Sequence, residues 1–103
     1  MKTVTICGSM RFSGEMQEIA WELETQHNMN VLQCVYDPPG ATLSPEELRA
    51  LTAAHYRKID LSDAIYVVNV DGYIGPSVRQ EIAYAREKGK EVLYHSEFTA
   101  RET

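Results

Sequence analysis

The sequence is short of positive charge. It has 10 Lys and Arg residues and 15 Asp and Glu residues, so the net charge is -5 with histidine neutral. A nucleic-acid groove needs clustered basic side chains to neutralise phosphates. We therefore expect no nucleic-acid partner. A small anionic ligand remains compatible with this charge, because the backbone N–H groups at a helix start can bind an anion locally.

Long apolar runs and cysteine frameworks are also missing. No segment is apolar enough to span a membrane, and the N-terminus has no secretion-signal pattern, so we expect a cytoplasmic protein with no membrane partner. Cys7 and Cys34 lie in apolar, strand-like runs, and we interpret them as buried free thiols in a reducing compartment. No CxxC or HxxxH spacing occurs, so we expect no metal site, and nothing in the sequence indicates a cofactor.

The first glycine loop does not match several known enzyme motifs. A dinucleotide fingerprint needs three spaced glycines, and only Gly8 and Gly14 are present. Arg11 follows Cys7 too closely for a cysteine phosphatase, and the chain has no P-loop lysine. The loop also lacks the acidic residues that a phosphoacceptor receiver would need. The loop is therefore not that of a dinucleotide-binding protein, a cysteine phosphatase, a P-loop protein or a phosphoacceptor receiver.

What the sequence does contain is a regular alternation of strand-like and helix-like segments. A chain of 103 residues suits one domain, residues 1–103. The predicted strands are residues 3–8, 30–37, 64–70 and 91–95. The alternation favours parallel strands with right-handed crossovers. We therefore predict a small doubly wound α/β sheet of Rossmann or flavodoxin type, with four or five strands in the order 2-1-3-4 and helices on both faces.

The three predicted helices carry their own start signals. The first begins at Ser13, and the second begins with Ser44 as N-cap, followed by proline and a capping-box glutamate. For the third we predict a capping box between Ser77 and Gln80, and Gly89 as the C-terminal stop. The tail after residue 95 is polar, and we predict no further element there.

Two glycine-marked loops follow the neighbouring strands one and three, "GSMRF" at 8–12 and "DGYIGPS" at 71–77. In open α/β sheets the ligand binds in the crevice between two such loops. The candidate substrate-binding residues are therefore Gly8, Ser9, Arg11, Phe12, Asp71, Tyr73, Gly75 and Ser77. Glycine permits close approach, and Arg11 could contact a phosphate. The alternatives are a tight turn with a surface arginine, and a tyrosine that only packs.

Glu81 and His55 are the candidate catalytic residues. Glu81 lies near the start of the third helix, at the margin of its apolar stripe. An ionised carboxylate beside a sugar can attack, or stabilise, an oxocarbenium-like centre. Glu81 could instead serve the helix dipole and pair with a nearby Arg or Lys. His55 lies on the apolar stripe of the second helix, where it is either a packed core histidine or a proton donor or sugar contact.

Taken together, "ICGSMRF", "HYRKIDLSDAIYVVNV" and "GYIGPSVRQEIAYAREKGKEVLY" resemble the nucleoside 2-deoxyribosyltransferase-like superfamily over nearly the whole chain. The resemblance implies that Glu81 matches the catalytic glutamate. It also implies that Gly8, Ser9 and Arg11 hold sugar and phosphate, with a second contact around Gly75 and Ser77. Members of this family are typically homodimers or higher homo-oligomers.

The resemblance implies cleavage of the N-glycosidic bond of a nucleoside or nucleoside 5′-monophosphate, by hydrolysis or 2-deoxyribosyl transfer. Ser9 and Arg11 favour a phosphorylated substrate, and therefore hydrolysis. His55 stands where the family commonly has an aspartate, which favours the alternative of a non-catalytic nucleotide-binding or regulatory module on the same fold. A third hypothesis is a purely structural subunit. The presence of Arg11, Asp71 and Glu81 together around the crevice disfavours it.

Overall fold

A computed structural model describes the backbone of residues 1–102 and the side chains of residues 1–98; Thr103 lies outside the described residues. The chain alternates between strands and helices, as predicted. The strands are β1 (Lys2–Cys7), β2 (Met29–Leu32), β3 (Ala64–Val67) and β4 (Glu91–Tyr94). The helices are α1 (Ser13–Gln26), α2 (Pro45–Asp60), α3 (Pro76–Glu87) and α4 (His95–Glu102), with single 3-10 turns at Met10–Phe12 and Val70–Gly72.

All strand pairs are parallel, and the sheet order is β2-β1-β3-β4. The predicted fold class and strand order are therefore confirmed, with four strands. Successive side chains of a strand point to opposite faces. Val4 and Ile6 pack in the cluster that includes the buried face of α1, whereas Cys7 packs in the cluster that includes residues of α2 and α3. The sheet is thus covered on both faces.

Local sequence signals explain where α2 begins and where α3 ends. At α2 the Glu47 N–H donates to Ser44 Oγ (3.1 Å), and the Ser44 N–H donates to Glu47 Oε1 (2.9 Å), so the predicted capping box is confirmed. After α3, Gly89 adopts φ +73° and its N–H donates to the Arg86 carbonyl, so its predicted role as a stop is also confirmed.

Three predicted boundaries are wrong. β2 ends at Leu32 rather than at residue 37, because the chain leaves the sheet there. β3 ends at Val67 rather than at residue 70, because the next residues form a 3-10 turn. The Ser77–Gln80 capping box does not form: Gly75 is the N-cap and Pro76 occupies the first helical position, which its fixed φ favours.

The C-terminal segment also differs from the prediction. Residues beyond β4 form α4 rather than an irregular tail. Phe98 packs edge-on against Tyr66, which explains why this polar segment folds onto the sheet. Among the described residues, no helix combines the length and the apolar character that crossing a bilayer requires.

Candidate functional site

A cavity of about 340 Å³ opens at the carboxyl ends of the strands. Its walls come from the loop after β1, the chain after β2, the inner side of α2 and the start of α3. Small-molecule sites typically have volumes of roughly 300–1,000 Å³ and a largely apolar lining with a few polar groups. The cavity has the size and the position expected of a ligand site in an open α/β sheet.

Gly8 brings the first loop close to the core. A Cβ at this position would lie 3.0 Å from Met16 Sδ and 3.2 Å from Val68 Cβ, closer than an ordinary contact. Close packing, rather than a left-handed φ, is therefore the reason that glycine suits this position. The close approach places Ser9 at the cavity wall, with Ser9 Oγ accepting from the Arg11 N–H at 3.4 Å.

Glu81 and His55 form the polar centre of the cavity. Glu81 projects from α3 and His55 from α2, and His55 Nε2 lies 2.9 Å from Glu81 Oε1. Their side chains are only 13% and 14% exposed, so the pair is largely shielded from solvent. His55 Nδ1 is buried and has no hydrogen-bond partner among the described residues. An ionised Glu81 therefore accepts a hydrogen bond from the one imidazole nitrogen that faces it.

Cys7 contacts this pair on the side away from the cavity. It is the last residue of β1, and its Sγ lies 3.5 Å from His55 Nε2. Burial, and then the negative charge of Glu81, raise the pKa of the Cys7 thiol well above its ordinary value. A fully buried thiol with such a pKa stays protonated at neutral pH and is a poor nucleophile. The carboxylate is accordingly the better candidate nucleophile of the two.

Tyr73 forms one rim of the cavity and is held from outside by two of the predicted residues. The Arg11 guanidinium lies 4.0 Å from the centre of the Tyr73 ring and donates from Nη2 to Tyr73 Oη at 3.3 Å. Phe12 packs edge-on against the same ring, with centroids 5.9 Å apart. Arg11 and Phe12 thus support a lining residue and do not themselves line the cavity.

The structure brings most, but not all, of the predicted site residues to one place. The predicted residues that line the cavity are Gly8, Ser9, His55, Tyr73, Gly75, Ser77 and Glu81. Arg11, Phe12 and Asp71 are not among its lining residues. Asp71 lies in the 3-10 turn after β3, where its φ of +53° places it in the left-handed region. Tertiary structure therefore selects seven of the ten predicted residues.

Other lining residues were not singled out from the sequence. Cys34 and Asp37 lie on the chain between β2 and α2, which the prediction placed within a strand. Lys58 and Thr52 line the cavity from α2, one turn from His55 on either side. The helical spacing around His55 could have identified these two. Both cysteines are free; Cys7 is buried as predicted, whereas Cys34 is only half-buried.

Comparison with family models, with curated proteins and with solved structures gives no match for this chain.

Proposed function

We propose that the protein cleaves the N-glycosidic bond of a nucleoside or nucleoside 5′-monophosphate, with Glu81 as the nucleophile. The observation that supports this most is a carboxylate that is 13% exposed, held by His55 at 2.9 Å, on the wall of a ligand-sized cavity. The resemblance of the sequence to nucleoside 2-deoxyribosyltransferase-like proteins points to the same residue.

In the proposed reaction a Glu81 oxygen attacks the anomeric carbon of the sugar. The bond to the base breaks, and the base leaves with that electron pair and takes up a proton from solvent. A water molecule then attacks the glycosyl ester, which releases the sugar, restores the carboxylate and returns one proton to solvent. An acceptor base in place of water would give transfer instead.

His55 acts in this proposal as a positioning residue. Its Nε2 already faces Glu81, and its Nδ1 is buried, so neither nitrogen is placed to donate to a leaving base. Tyr56 also lines the cavity, and burial followed by the negative charge of Glu81 raises the pKa of its phenol. A phenol that stays protonated is a hydrogen-bond donor, and Lys58 supplies a cation in the same cavity.

The lining suits the two halves of such a substrate. Apolar side chains from α2 and the chain after β2 form one wall, including Val35, Leu48 and Leu51. A base can pack against this wall while the sugar lies beside Glu81. Ser9 and Ser77 offer hydroxyl groups for a sugar or a 5′-phosphate, which favours hydrolysis of a phosphorylated substrate. We place this activity in the cytoplasm, as the sequence patterns favour, and in a homo-oligomer, as the resemblance implies.

The test is release of free base from a panel of nucleosides and 5′-monophosphates. We expect one class to be cleaved, and Glu81→Gln to lose a factor of a hundred or more, on the order of 3 kcal/mol of barrier. Glu87→Gln is the matched control, because this glutamate ends the same helix and is exposed. Equal rates for wild type and Glu81→Gln would overturn the assignment of the nucleophile.

The second candidate function is a non-catalytic nucleotide-binding module. It is favoured by the scarcity of carboxylates: among the described residues that line the cavity, Asp37 is the only one besides Glu81. In this case a nucleotide raises the melting temperature of the wild type without any release of base.

A further inference from the structure

Three different metal-ligating groups converge beside the cavity. Cys7 Sγ, His55 Nε2 and a Glu81 carboxylate oxygen all lie within 4.8 Å of one another. We propose that these three side chains bind a divalent transition metal ion, with Zn²⁺ the best match. The expectation of no metal site rested on the absence of short ligand spacings, and these three residues are far apart along the chain.

The distances suit one tetrahedral ion. With typical zinc bond lengths, sulfur and nitrogen ligands of one ion lie ~3.6 Å apart, and nitrogen and oxygen ligands ~3.4 Å apart. The observed Sγ–Nε2 distance is 3.5 Å, and the Nε2–Oε1 distance is 2.9 Å. The third pair, Cys7 Sγ and the Glu81 carboxylate oxygen, lies within 4.8 Å. Binding therefore requires the imidazole and the carboxylate to separate by about half an ångström, and the sulfur and the carboxylate oxygen to reach ~3.6 Å. Both His55 and Glu81 border open space in the cavity.

The ligand set selects the class of metal. A thiolate and an imidazole favour zinc and its transition-metal neighbours over Mg²⁺ and Ca²⁺, which prefer oxygen ligands. His55 and Glu81 line the cavity, whereas Cys7 lies behind them. An ion held by all three would keep a coordination position directed into the cavity. Three protein ligands with one open position are typical of catalytic zinc sites, whereas structural zinc sites usually have four protein ligands.

Binding also has a defined proton balance. The ion replaces the proton of the Cys7 thiol, so one proton is released for each ion bound. A neutral His55 must present a lone pair at Nε2, so its hydrogen moves to Nδ1 without net release. Glu81 contributes an oxygen lone pair and, when ionised, releases nothing.

The metal proposal does not depend on the proposed glycosidase activity. It has one consequence for that activity, since an ion bound to the Glu81 carboxylate occupies the lone pair that would attack the sugar. Zinc should therefore inhibit base release. Metal binding itself is measured without any substrate, so failure of one proposal is distinguishable from failure of the other.

The test uses Co²⁺ as a spectroscopic probe with the full chain, kept reduced by a non-thiol reductant. We expect one equivalent of Co²⁺ to give a near-ultraviolet sulfur-to-cobalt charge-transfer band that Zn²⁺ abolishes. Cys7→Ala should lose the band. Cys34→Ser is the matched control and should keep it, because Cys34 is not part of the cluster.

A second variant covers the case in which Cys7→Ala does not fold. Glu81→Gln keeps the shape of the side chain, and loss of a ligand should weaken Zn²⁺ binding by roughly 100-fold or more in competition with a chromophoric chelator. Glu87→Gln should bind as tightly as the wild type. The proposal is overturned if folded wild type gives no charge-transfer band, if Cys34→Ser removes the band, or if Glu81→Gln and Glu87→Gln bind Zn²⁺ equally.

Discussion

Substitution of Gly8 by alanine tests whether packing fixes the first loop of the cavity. The new Cβ would lie 3.0 Å from Met16 Sδ and 3.2 Å from Val68 Cβ. The methionine sulfur belongs to a flexible side chain that can turn away, but the Val68 Cβ is attached directly to the backbone. Overpacking of this kind costs about 1–3 kcal/mol, and the reduced entropy of the unfolded chain returns about 0.4–1 kcal/mol.

We therefore expect Gly8→Ala to lower the free energy of unfolding by about 1–2 kcal/mol and the melting temperature by roughly 5–15 °C. Urea unfolding followed by circular dichroism measures the first quantity directly. Gly14→Ala is the matched control. It lies in α1 with nothing within 4 Å of its Cβ position, so it should stabilise by about 0.5 kcal/mol. Equal stability of Gly8→Ala and wild type would refute the packing argument.

Three further predictions concern the thiols, α4 and the sheet. Native protein should react with Ellman's reagent at the half-buried Cys34 but not at the fully buried Cys7, so rapid modification of native Cys34→Ser would contradict the structure. Burial lowers the pKa of His95 below 6.5, so the folded state binds fewer protons than the unfolded chain and stability falls as the pH drops below that value. Between about pH 7.5 and pH 5.5 the urea midpoint should therefore fall more for wild type than for His95→Gln. An equal fall of the midpoint in both proteins would refute this. Asp63→Ala removes the carboxylate that accepts from the Thr3 N–H at 2.8 Å and should cost about 1 kcal/mol in urea unfolding, whereas an unchanged midpoint would show that this bond contributes nothing net.

Much of the fold could be predicted because its signals are local. The start of α1 at Ser13 and the Ser44 capping box depend only on nearby residues, and both appear as predicted. Parallel pairing follows from the alternation of strands and helices, and the doubly wound order predicted with it is the order observed. The meeting of the loops after β1 and β3 follows in turn, and it brings Ser9 and Gly75 to one cavity.

The remaining features depend on contacts that the sequence does not display. β2 pairs with β1 only as far as Leu32 with Thr5, although β1 continues to Cys7, so the apolar character of residues 33–37 does not by itself keep them in the sheet. α4 forms because Phe98 has the Tyr66 ring to pack against. The stacking of the Arg11 guanidinium on the Tyr73 ring, 4.0 Å from its centre, joins two loops that are far apart in the sequence.

The meeting of Cys7, His55 and Glu81 is the most informative of these contacts. Each residue has a local interpretation, as a buried thiol, a stripe histidine and a helix-start carboxylate. Only the crossing of β1, α2 and α3 shows that their polar atoms share one space. The partner of Glu81 is accordingly a histidine, rather than the Arg or Lys that the sequence suggested.

The most direct test of the central claim is to trap the glycosyl-enzyme. A nucleoside or 5′-monophosphate with a fluorinated sugar, which slows hydrolysis of the ester, is incubated with the protein, and the digested protein is analysed by mass spectrometry. We expect an added sugar mass on the peptide that carries Glu81, and none in Glu81→Gln. Release of base with no adduct, or an adduct on another residue, would contradict the assignment of Glu81 as the nucleophile.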